Sequence, residues 1–322
     1  MSGVRQGGAR RIFVTGGTGF FGKSMLDYLR RHPGCRPESE WTILTRSPER
    51  FVAANAKLLD QDRRISLVTG DVRDFRVEGA YDEIIHAATA AVTTLSDDEM
   101  LSTIVEGTRH VIEFAKACGA RKLLFTSSGA VYGPRTERVD ETAECRPATA
   151  YGRGKLAAER MLAASGLDVT VARCFAFVGP HLNRGIHYAI GNFLRDTLAG
   201  DPIVIQGDGT AFRSYLYADD LVEWLFALLE RGAPGRAYNV GSERAVSIRA
   251  LAETVRQALG GRGDIVVRGR ADPAARPSVY VPSTLRARQE LGLAERVGLE
   301  QAVRLSAGRP PTPGGKYDTI LG

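Results

Sequence analysis

The stretch Val14-Thr15-Gly16-Gly17-Thr18-Gly19-Phe20-Phe21-Gly22 lies where a short β-branched run passes into a helical one. Within it, Gly16, Gly19 and Gly22 recur at every third position. Glycines at this spacing let the chain reverse tightly and let the backbone approach a pyrophosphate without an intervening Cβ. The helix that follows then offers its free N–H groups to the anion. The stretch therefore predicts a dinucleotide-binding loop at Gly16, Gly19 and Gly22.

Around this loop, short β-branched runs alternate with longer helical ones. The predicted strands are residues 11–15, 41–45, 65–69, 83–86, 122–127 and 168–174. The predicted helices are residues 21–31, 49–59, 100–118 and 151–164. Strands and helices in alternation are typical of an α/β fold with a doubly wound parallel sheet and helices on both faces.

The regular alternation weakens after Pro180, where short elements are separated by Gly/Pro loops. The short elements are residues 201–206, 221–229, 247–259 and 284–291. They predict a smaller, discontinuous C-terminal cap over the edge of the sheet where ligands of such folds bind. The predicted division is 11–175 plus about 212–240 for the dinucleotide-binding domain, 176–211 plus 241–308 for the substrate-binding cap, and a Pro/Gly-rich tail at 309–322.

The composition excludes several classes of protein. A hydrophobic content of 43% and a charged content of 25% over 322 residues exclude a disordered chain or a fibre. No run approaches the ~20 apolar residues of a membrane span, and the N-terminus lacks the apolar core of a signal peptide. We therefore predict a cytoplasmic protein with no membrane partner.

The charge distribution and the cysteine pattern bear on which ligands the protein binds. The net charge is +6, but the arginines are scattered among acids without a basic block, which argues against a nucleic-acid partner. The four cysteines show neither CxxC pairing nor a His/Cys cluster with metal-ligand spacing. Reduced thiols and no metal site are expected.

The end of the second predicted strand bears on the choice of cofactor. An NAD-specific site usually places an acid there to hold the adenosine ribose hydroxyls, but this sequence has Thr45-Arg46. Arg46, with Arg50 a turn later, could instead bind a 2′-phosphate through a planar guanidinium. The sequence thus favours NADP over NAD, with two solvated arginines as the alternative interpretation.

Two further strand ends suit a dinucleotide. Asp71 and Val72 follow the third strand and offer a carboxylate and an apolar side chain to the edge and face of adenine. Ala87 and Ala88 follow the fourth strand and are small enough for the cofactor to lie against the backbone. Thr89, next in the chain, is a candidate substrate contact.

Tyr151 and Lys155 are spaced for acid/base chemistry. At positions i and i+4 they lie on one face of a helix, within a turn of each other. A nearby ammonium is expected to lower the tyrosine pKa from its usual ~10, so that the phenol can exchange a proton with a substrate hydroxyl as hydride moves. Ser128, at the end of the preceding strand, can hydrogen-bond the same substrate oxygen.

With these residues in place, the chain resembles the extended short-chain dehydrogenase/reductase family, the nucleotide-sugar epimerases and dehydratases. The resemblance runs from about Arg11 to about Leu291. It rests on the ordered segments GGTGFFG, GDVRD, HAAT, TSSGAVYG, YGRGK, RCFAFVGP, FRSYLYADDL and YNVGSERAVSI. It implies a Rossmann domain with a nicotinamide cofactor, a nucleoside-diphosphate sugar under the cap, and a homodimer formed through helices 100–118 and 151–164.

The resemblance also implies roles for individual residues. Tyr151 would be the acid/base, Lys155 its modulator and ribose anchor, and Ser128 the hydroxyl partner, while Ser127 would face the core. Further implied contacts are the backbone N–H groups of Phe20 and Phe21 to the pyrophosphate, Phe175 near the nicotinamide, Arg213 to the sugar diphosphate, and His187 in the loop that roofs the sugar.

Departures from the family pattern limit which of the family's reactions the protein is expected to catalyse. Gly129-Ala130 stands where 4,6-dehydratases carry an acidic pair, and sugar-acid decarboxylases usually keep a glutamate in place of Ala130. Ala176 replaces an asparagine that usually contacts the substrate phosphates. The expected activity is therefore at C4 of a nucleoside-diphosphate hexose, as a 4-epimerase or, favoured slightly by the missing ribose acid, a 4-keto reductase.

Two other functions stay open at this point. One is a 4,6-dehydratase that takes its acid and base from the cap. The other, from a different class, is a sensor or scaffold that binds NADP without turnover; such a protein would usually have a damaged Ser/Tyr/Lys set, whereas here the set is whole.

Overall fold

The computed structural model describes residues 9–59, 64–88, 96–185 and 188–308. The strands are β1 Arg10–Thr15, β2 Ser39–Thr45, β3 Ile65–Thr69, β4 Glu83–His86, β5 Lys122–Ser128, β6 Val169–Cys174, β7 Phe177–Val178, β8 Ile203–Ile205, β9 Phe212–Arg213, β10 Leu216–Tyr217, β11 Arg236–Val240, β12 Val246–Ser247, β13 Ile265–Val267 and β14 Val279–Tyr280. The helices are α1 Phe20–Arg31, α2 Pro48–Leu59, α3 Asp97–Cys118, α4 Ala150–Ala163, α5 Ala189–Ala199, α6 Ala218–Arg231, α7 Ile248–Leu259, α8 Leu285–Leu291 and α9 Leu299–Ser306. Thr89, His187 and the predicted tail at 309–322 lie outside the described residues.

The central element is a seven-stranded sheet in the order β3-β2-β1-β4-β5-β6-β11, in which every neighbouring pair is parallel. Val14 lies opposite Ile43 on one side and Ile85 on the other, an apolar row typical of strands that are covered on both faces. The strand order reverses direction between β1 and β4, which opens a crevice at the carboxyl edge. The predicted doubly wound Rossmann sheet is confirmed.

Helices cover both faces of this sheet. On one face, Leu26 of α1 and Trp224 of α6 are fully buried in a core with the strand side chains. On the other face, Val111 of α3 and Ala158 of α4 are buried in a second core. Burial on both faces stabilises the crevice edge because each strand end is held between two packed layers.

A third core lies above the carboxyl edge and forms the cap. Leu194 of α5, Val255 of α7 and Val303 of α9 are completely buried there. A small sheet in the order β12-β9-β14 faces the crevice side of this region. By contrast, helix α8 packs through Ala287 and Leu291 into the core under the main sheet.

Several described elements were not among those predicted from sequence. The longest of them are strand β11 and helices α5 and α9, and the others are short strands of two or three residues. The sequence of β11, RAYNV, has little β-branched character, and its conformation comes from pairing with β6, Tyr238 lying opposite Ala172. In the described part of the chain, no helix is long and apolar enough to cross a membrane.

Candidate active site

The glycine loop connects β1 to α1 at the crevice. Gly16 has φ +74°, and a Cβ there would lie 2.4 Å from the backbone of Ala87; a Cβ on Gly22 would lie 2.0 Å from the carbonyl oxygen of Gly17. Helix α1 begins at Phe20 with Gly19 as its N-cap, so no side chain caps its first turn. The N–H groups of that turn are thus available for an anion, and the loop fits a dinucleotide pyrophosphate.

A hydrogen-bonded histidine, His86, links the carboxyl ends of β1 and β4 on the side of the crevice opposite the loop. The N–H of Ala88 donates to Thr15 Oγ1 at 3.2 Å, and Thr15 Oγ1 lies 2.7 Å from His86 Nδ1. His86 Nε2 lies 3.0 Å from Thr108 Oγ1, which itself donates to the Ile104 carbonyl. Nε2 must therefore carry the proton and Nδ1 must accept. Burial lowers the pKa of His86 to about 3, so the ring is a neutral structural link.

The residues expected near adenosine lie at the ends of β2 and β3. Arg73 donates to Asp71 through Nε at 2.8 Å and holds the pKa of that carboxyl below its usual range, with a further contribution from the charge of Arg46. Arg46 itself is exposed, as is Arg50 in α2. Val72 is buried and packs against Gly107 of α3, where an added Cβ would come within 2.9 Å of it.

Tyr151 and Lys155 lie in the first turns of α4, where Thr149 caps the helix by accepting from the N–H of Gly152. Lys155 is completely buried, and its Nζ donates to the carbonyl of Thr126 at 2.7 Å. The same Nζ lies 5.9 Å from the centre of the Tyr151 ring. The structure thus brings Tyr151 and Lys155 to the carboxyl end of β5.

Ser128 ends β5 and completes this set. Its Oγ accepts from the N–H of Ala130 at 3.2 Å, and its hydroxyl is close enough to that of Tyr151 to act on the pKa of the phenol. Its neighbour Ser127 points the other way and donates to Glu159, which agrees with the expected core orientation. Phe175 follows β6, and its ring lies against Gly129, beside Ser128.

The expected lowering of the Tyr151 pKa is wrong for this structure. Burial of the hydroxyl raises the pKa of Tyr151 above its usual value, and the neighbouring Tyr280 raises it further; the hydrogen bond from Ser128 only partly offsets this. Lys155 is itself affected by burial, which lowers its pKa to about 7. Desolvation disfavours the charged form of both groups and is the largest influence on each pKa.

Tyr280 is a site residue that sequence reasoning missed. Its hydroxyl lies 3.4 Å from Ser128 Oγ, its ring centre lies 4.8 Å from that of Phe175, and burial raises its pKa to about 12. It comes from the two-residue strand β14 of the cap, far along the chain from Ser128. Nothing in the sequence around it signals a site, and only the pairing of β14 with β9 brings it there.

Arg213 lies in β9, next to β14. Its guanidinium donates to the Phe212 carbonyl at 2.7 Å and to Ser278 Oγ at 3.3 Å, and it lies 6.0 Å from the centre of the Tyr280 ring. Within the described ranges, no carboxylate forms an ion pair with it. The charge is therefore available to an anionic group of a ligand at the cap side of the crevice.

Position 129 carries no acid of the kind that a dehydratase needs. A Cβ on Gly129 would lie 2.7 Å from the Phe175 ring, so any side chain there would displace that ring. The groups that act most strongly on the Tyr151 hydroxyl are the phenols of Tyr280 and Tyr188, the Ser128 hydroxyl and the Cys174 thiol. None of these is a carboxylate.

Together, the glycine loop, the crevice at the sheet edge and the Ser/Tyr/Lys set define an oxidoreductase-type enzyme of the extended short-chain dehydrogenase class. Residues 12–241 match the NAD dependent epimerase/dehydratase family. The chain belongs to this family.

Similar proteins include both sequence relatives and solved structures. UDP-glucuronic acid decarboxylase 6 of Arabidopsis thaliana is 29% identical over 309 residues, which cover 92% of this chain and 87% of the relative. The UDP-glucose 4-epimerase of Thermotoga maritima, solved with UDP-glucose, superimposes with a TM-score of 0.79 at 22% identity over 92% of this chain and 97% of its own. The UDP-glucuronic acid 4-epimerase of Bacillus cereus, solved with UDP-glucuronic acid and NAD, has a TM-score of 0.80 at 20% identity, with 92% and 98% covered.

Proposed function

We propose that this enzyme moves hydride between a nicotinamide and C4 of a nucleoside-diphosphate hexose, as a 4-keto reductase or a 4-epimerase. The observation that carries the proposal is the meeting of Ser128, Tyr151 and Lys155 beside the glycine loop, at a site where position 129 is a glycine packed against the Phe175 ring and carries no acid. The nucleotide sugars named with the similar structures support the substrate class.

When bound, the nicotinamide supplies the hydride acceptor or donor. Tyr151 would take the proton of the C4 hydroxyl during oxidation and return it during reduction. Ser128 would orient the same oxygen by a hydrogen bond, since its Oγ lies 3.4 Å from the Tyr280 hydroxyl and acts on the pKa of Tyr151. Lys155 would hold the ribose and stabilise the phenolate, and Arg213 would pair with the diphosphate.

The burial of Tyr151 sets a condition on this chemistry. Because burial raises the pKa of the phenol, the neutral form dominates at neutral pH and is ready to donate a proton to a keto sugar. Oxidation needs the phenolate and therefore needs a further positive charge close by. When bound, the oxidised nicotinamide would supply such a charge, so this condition is met equally by a 4-keto reductase and by a 4-epimerase.

The alternative is a 4,6-dehydratase with its acid and base in the cap. Removal of water across C5 and C6 needs one group for the C5 proton and another for the departing hydroxyl. In the described residues, the cap contributes phenols and Arg213 around Ser128. His187 and Thr89, which lie outside those residues, are retained as candidate sugar contacts.

The activity is tested by incubating the purified protein with NADPH or NADH and a panel of UDP- and dTDP-linked 4-keto sugars, hexoses and hexuronic acids. Loss of nicotinamide absorbance with a 4-keto sugar would establish the reductase. Interconversion at C4 without net cofactor change would establish the epimerase. A 4-keto-6-deoxy product, release of CO₂, or tight cofactor binding with no product would instead establish the dehydratase, a decarboxylase, or the non-catalytic NADP-binding sensor or scaffold.

NADP(H) is expected to bind more tightly than NAD(H), by about tenfold or more. Arg46 is exposed at the end of β2 beside Asp71, and a charge-assisted contact to a 2′-phosphate is worth roughly 1.5 to 3 kcal/mol. Titration calorimetry of wild type and Arg46→Ala with both cofactors measures the difference. Arg249→Ala, an exposed arginine on α7, is the control and should keep it. Equal affinities in wild type would contradict the preference and weaken the support for a reductase.

We further propose a homodimer through α3 and α4, which pack side by side on one face of the sheet. Leu101, Val105 and Leu156 on these helices are half-buried in the single chain, and a partner would cover them. Light scattering measures the mass directly.

A cytoplasmic location remains part of the proposal, and the four cysteines, all free thiols, are compatible with it.

A further inference from the structure

A buried ion pair lies directly behind the Ser/Tyr/Lys set. Arg173 of β6 donates to Glu159 of α4 through Nε at 3.1 Å and through its terminal nitrogen at 2.7 Å. Only about a tenth of either side chain is exposed. Removing two charges from water is costly, and an ion pair of this kind is often no more stable than an apolar pair of the same volume. A role beyond stability is therefore worth seeking.

The pair contacts both strand ends that carry the site. Ser127, immediately before Ser128, donates its hydroxyl to the Glu159 carboxylate. Arg173 lies two residues before Phe175, whose ring packs against Gly129. One carboxylate thus ties the end of β5 to the end of β6.

The same carboxylate also faces the catalytic lysine. Glu159 follows Lys155 by one helical turn on α4, so the two side chains share a face of that helix. Its negative charge raises the pKa of Lys155 and opposes the lowering that burial causes. Glu159 is the charged side chain that acts on Lys155 most directly from its own helix.

The network continues into the cap side of the molecule. Arg173 donates to the Tyr132 hydroxyl at 3.0 Å, and Tyr132 donates to Asn239 Oδ1 at 2.8 Å. The Asn239 amide donates in turn to the carbonyl of Ser283 at 3.0 Å, three residues after Tyr280. Every member of this chain is hydrogen-bonded, which makes it a rigid connection between the Tyr280 segment and Ser128.

We propose that Glu159 is a positioning residue for hydride transfer: through Ser127 and Arg173 it fixes the strand ends that carry Ser128 and Phe175, and it supplies the negative charge that faces Lys155. The expected effect of Glu159 on turnover rests on the proposed function. The expected effect of Glu159 on Lys155 does not depend on the proposed function.

The groups around Lys155 make that effect measurable. From α4 it faces Glu159 and Tyr151, from β6 the Cys174 thiol, and from β4 His86. His86 has a pKa of about 3, Cys174 a pKa of about 12, and the phenol of Tyr151 a pKa above its usual range. Between about pH 6 and 9, Lys155 is thus the group of this set that titrates.

The test measures the affinity for NADPH across this pH range in wild type, Glu159→Gln and Glu159→Asp. NADPH is used because its nicotinamide is uncharged. Affinity should fall as Lys155 loses its proton. In Glu159→Gln this fall should move to lower pH by about one unit, a tenfold change in the proton affinity of the amine. Glu159→Asp keeps the charge and should stay close to wild type.

Two controls separate charge from structure. Ser127→Ala keeps both charges, so it should leave the pH dependence unmoved while lowering turnover by about twofold to tenfold, the effect of one lost hydrogen bond. Glu253→Gln removes an exposed carboxylate that pairs with Arg249 on α7, and it should change neither quantity.

Glu159→Gln leaves the Arg173 guanidinium buried without its partner, which is expected to destabilise this variant strongly. The double variant Glu159→Gln/Arg173→Met removes both charges and should show the same pH shift, since Lys155 responds to Glu159 rather than to Arg173. A pH dependence identical to wild type in either variant, or failure of both to fold, would overturn the proposal. If wild type binds NADPH but turns over no nucleotide sugar, the proposed function fails while the binding result still decides the role of Glu159.

Discussion

Tyr151→Phe should lower turnover by roughly 10² to 10⁴, the effect of losing a general acid/base, while fold and cofactor affinity stay nearly unchanged. The substitution removes one oxygen from a ring that otherwise keeps its place in the first turn of α4. Substrate affinity should change little, because Ser128 retains its hydrogen bonds to Ala130 and Tyr280. Steady-state kinetics with the identified nucleotide sugar, together with a thermal melt, measures these quantities.

The matched control is Tyr280→Phe, which removes a second phenolic hydroxyl next to the same serine. Because Tyr280 belongs to the cap and its hydroxyl is a hydrogen-bond partner of Ser128, its loss should cost no more than a single hydrogen bond, about twofold to tenfold. A Tyr151→Phe enzyme that works at the wild-type rate would exclude the proposed mechanism. The dehydratase with cap residues, or the non-catalytic binder, would then be favoured.

Lys155→Met should have two effects of opposite sign, a large loss of activity and a gain in stability. Turnover should fall by about 10² or more and the cofactor should bind more weakly, because the ammonium that serves both is gone. Stability should rise because folding lowers the pKa of Lys155 from 10.5 to about 7. The folded state then binds this proton more weakly than the unfolded state, at a cost on the order of 4 kcal/mol at pH 7.

The sign of this linkage gives the pH dependence. The stability associated with Lys155 is present above about pH 10.5 and is lost progressively as the pH falls towards 7. The methionine variant has no such proton linkage, but it loses the hydrogen bond to Thr126. Its free energy of unfolding at pH 7 should therefore exceed that of wild type by about 1 to 3 kcal/mol. Denaturant unfolding at pH 7 and at about pH 10 should show the two proteins converging at the higher pH. If the methionine variant were less stable than wild type at pH 7, this would contradict a lysine whose pKa is lowered by burial.

The sequence predicted the parts of the site that depend on local spacing. The glycines of the β1 loop and the i, i+4 pair of Tyr151 and Lys155 are defined by short stretches of chain, and the structure places them at one sheet edge. The same holds for Ser128, because the end of β5 follows directly from an apolar run and a Gly-containing turn.

Features set by distant parts of the chain could not be predicted in this way. Tyr280 reaches Ser128 only through the pairing of two very short strands, β9 and β14. The pKa of Tyr151 was expected to fall because the helical spacing shows only its neighbour Lys155. The burial and the nearby Tyr280 hydroxyl that raise this pKa depend on how distant segments pack together. The spacing of Glu159 after Lys155 is visible in the sequence, but its partner Arg173 is identified only by the contact between α4 and β6.

The return of β11 to the main sheet has a consequence for how the chain must fold during synthesis. β6 is buried along its whole length, yet one of its two neighbours, β11, is translated only after residues 175–235. Until then a newly made chain carries an apolar strand edge with no partner, the kind of edge that pairs with other chains. The sheet cannot be completed before residues 236–240 have been synthesised, so an incomplete chain exposes a strand edge that favours aggregation. A fragment ending near residue 175 should therefore precipitate rather than persist as an independent cofactor-binding module.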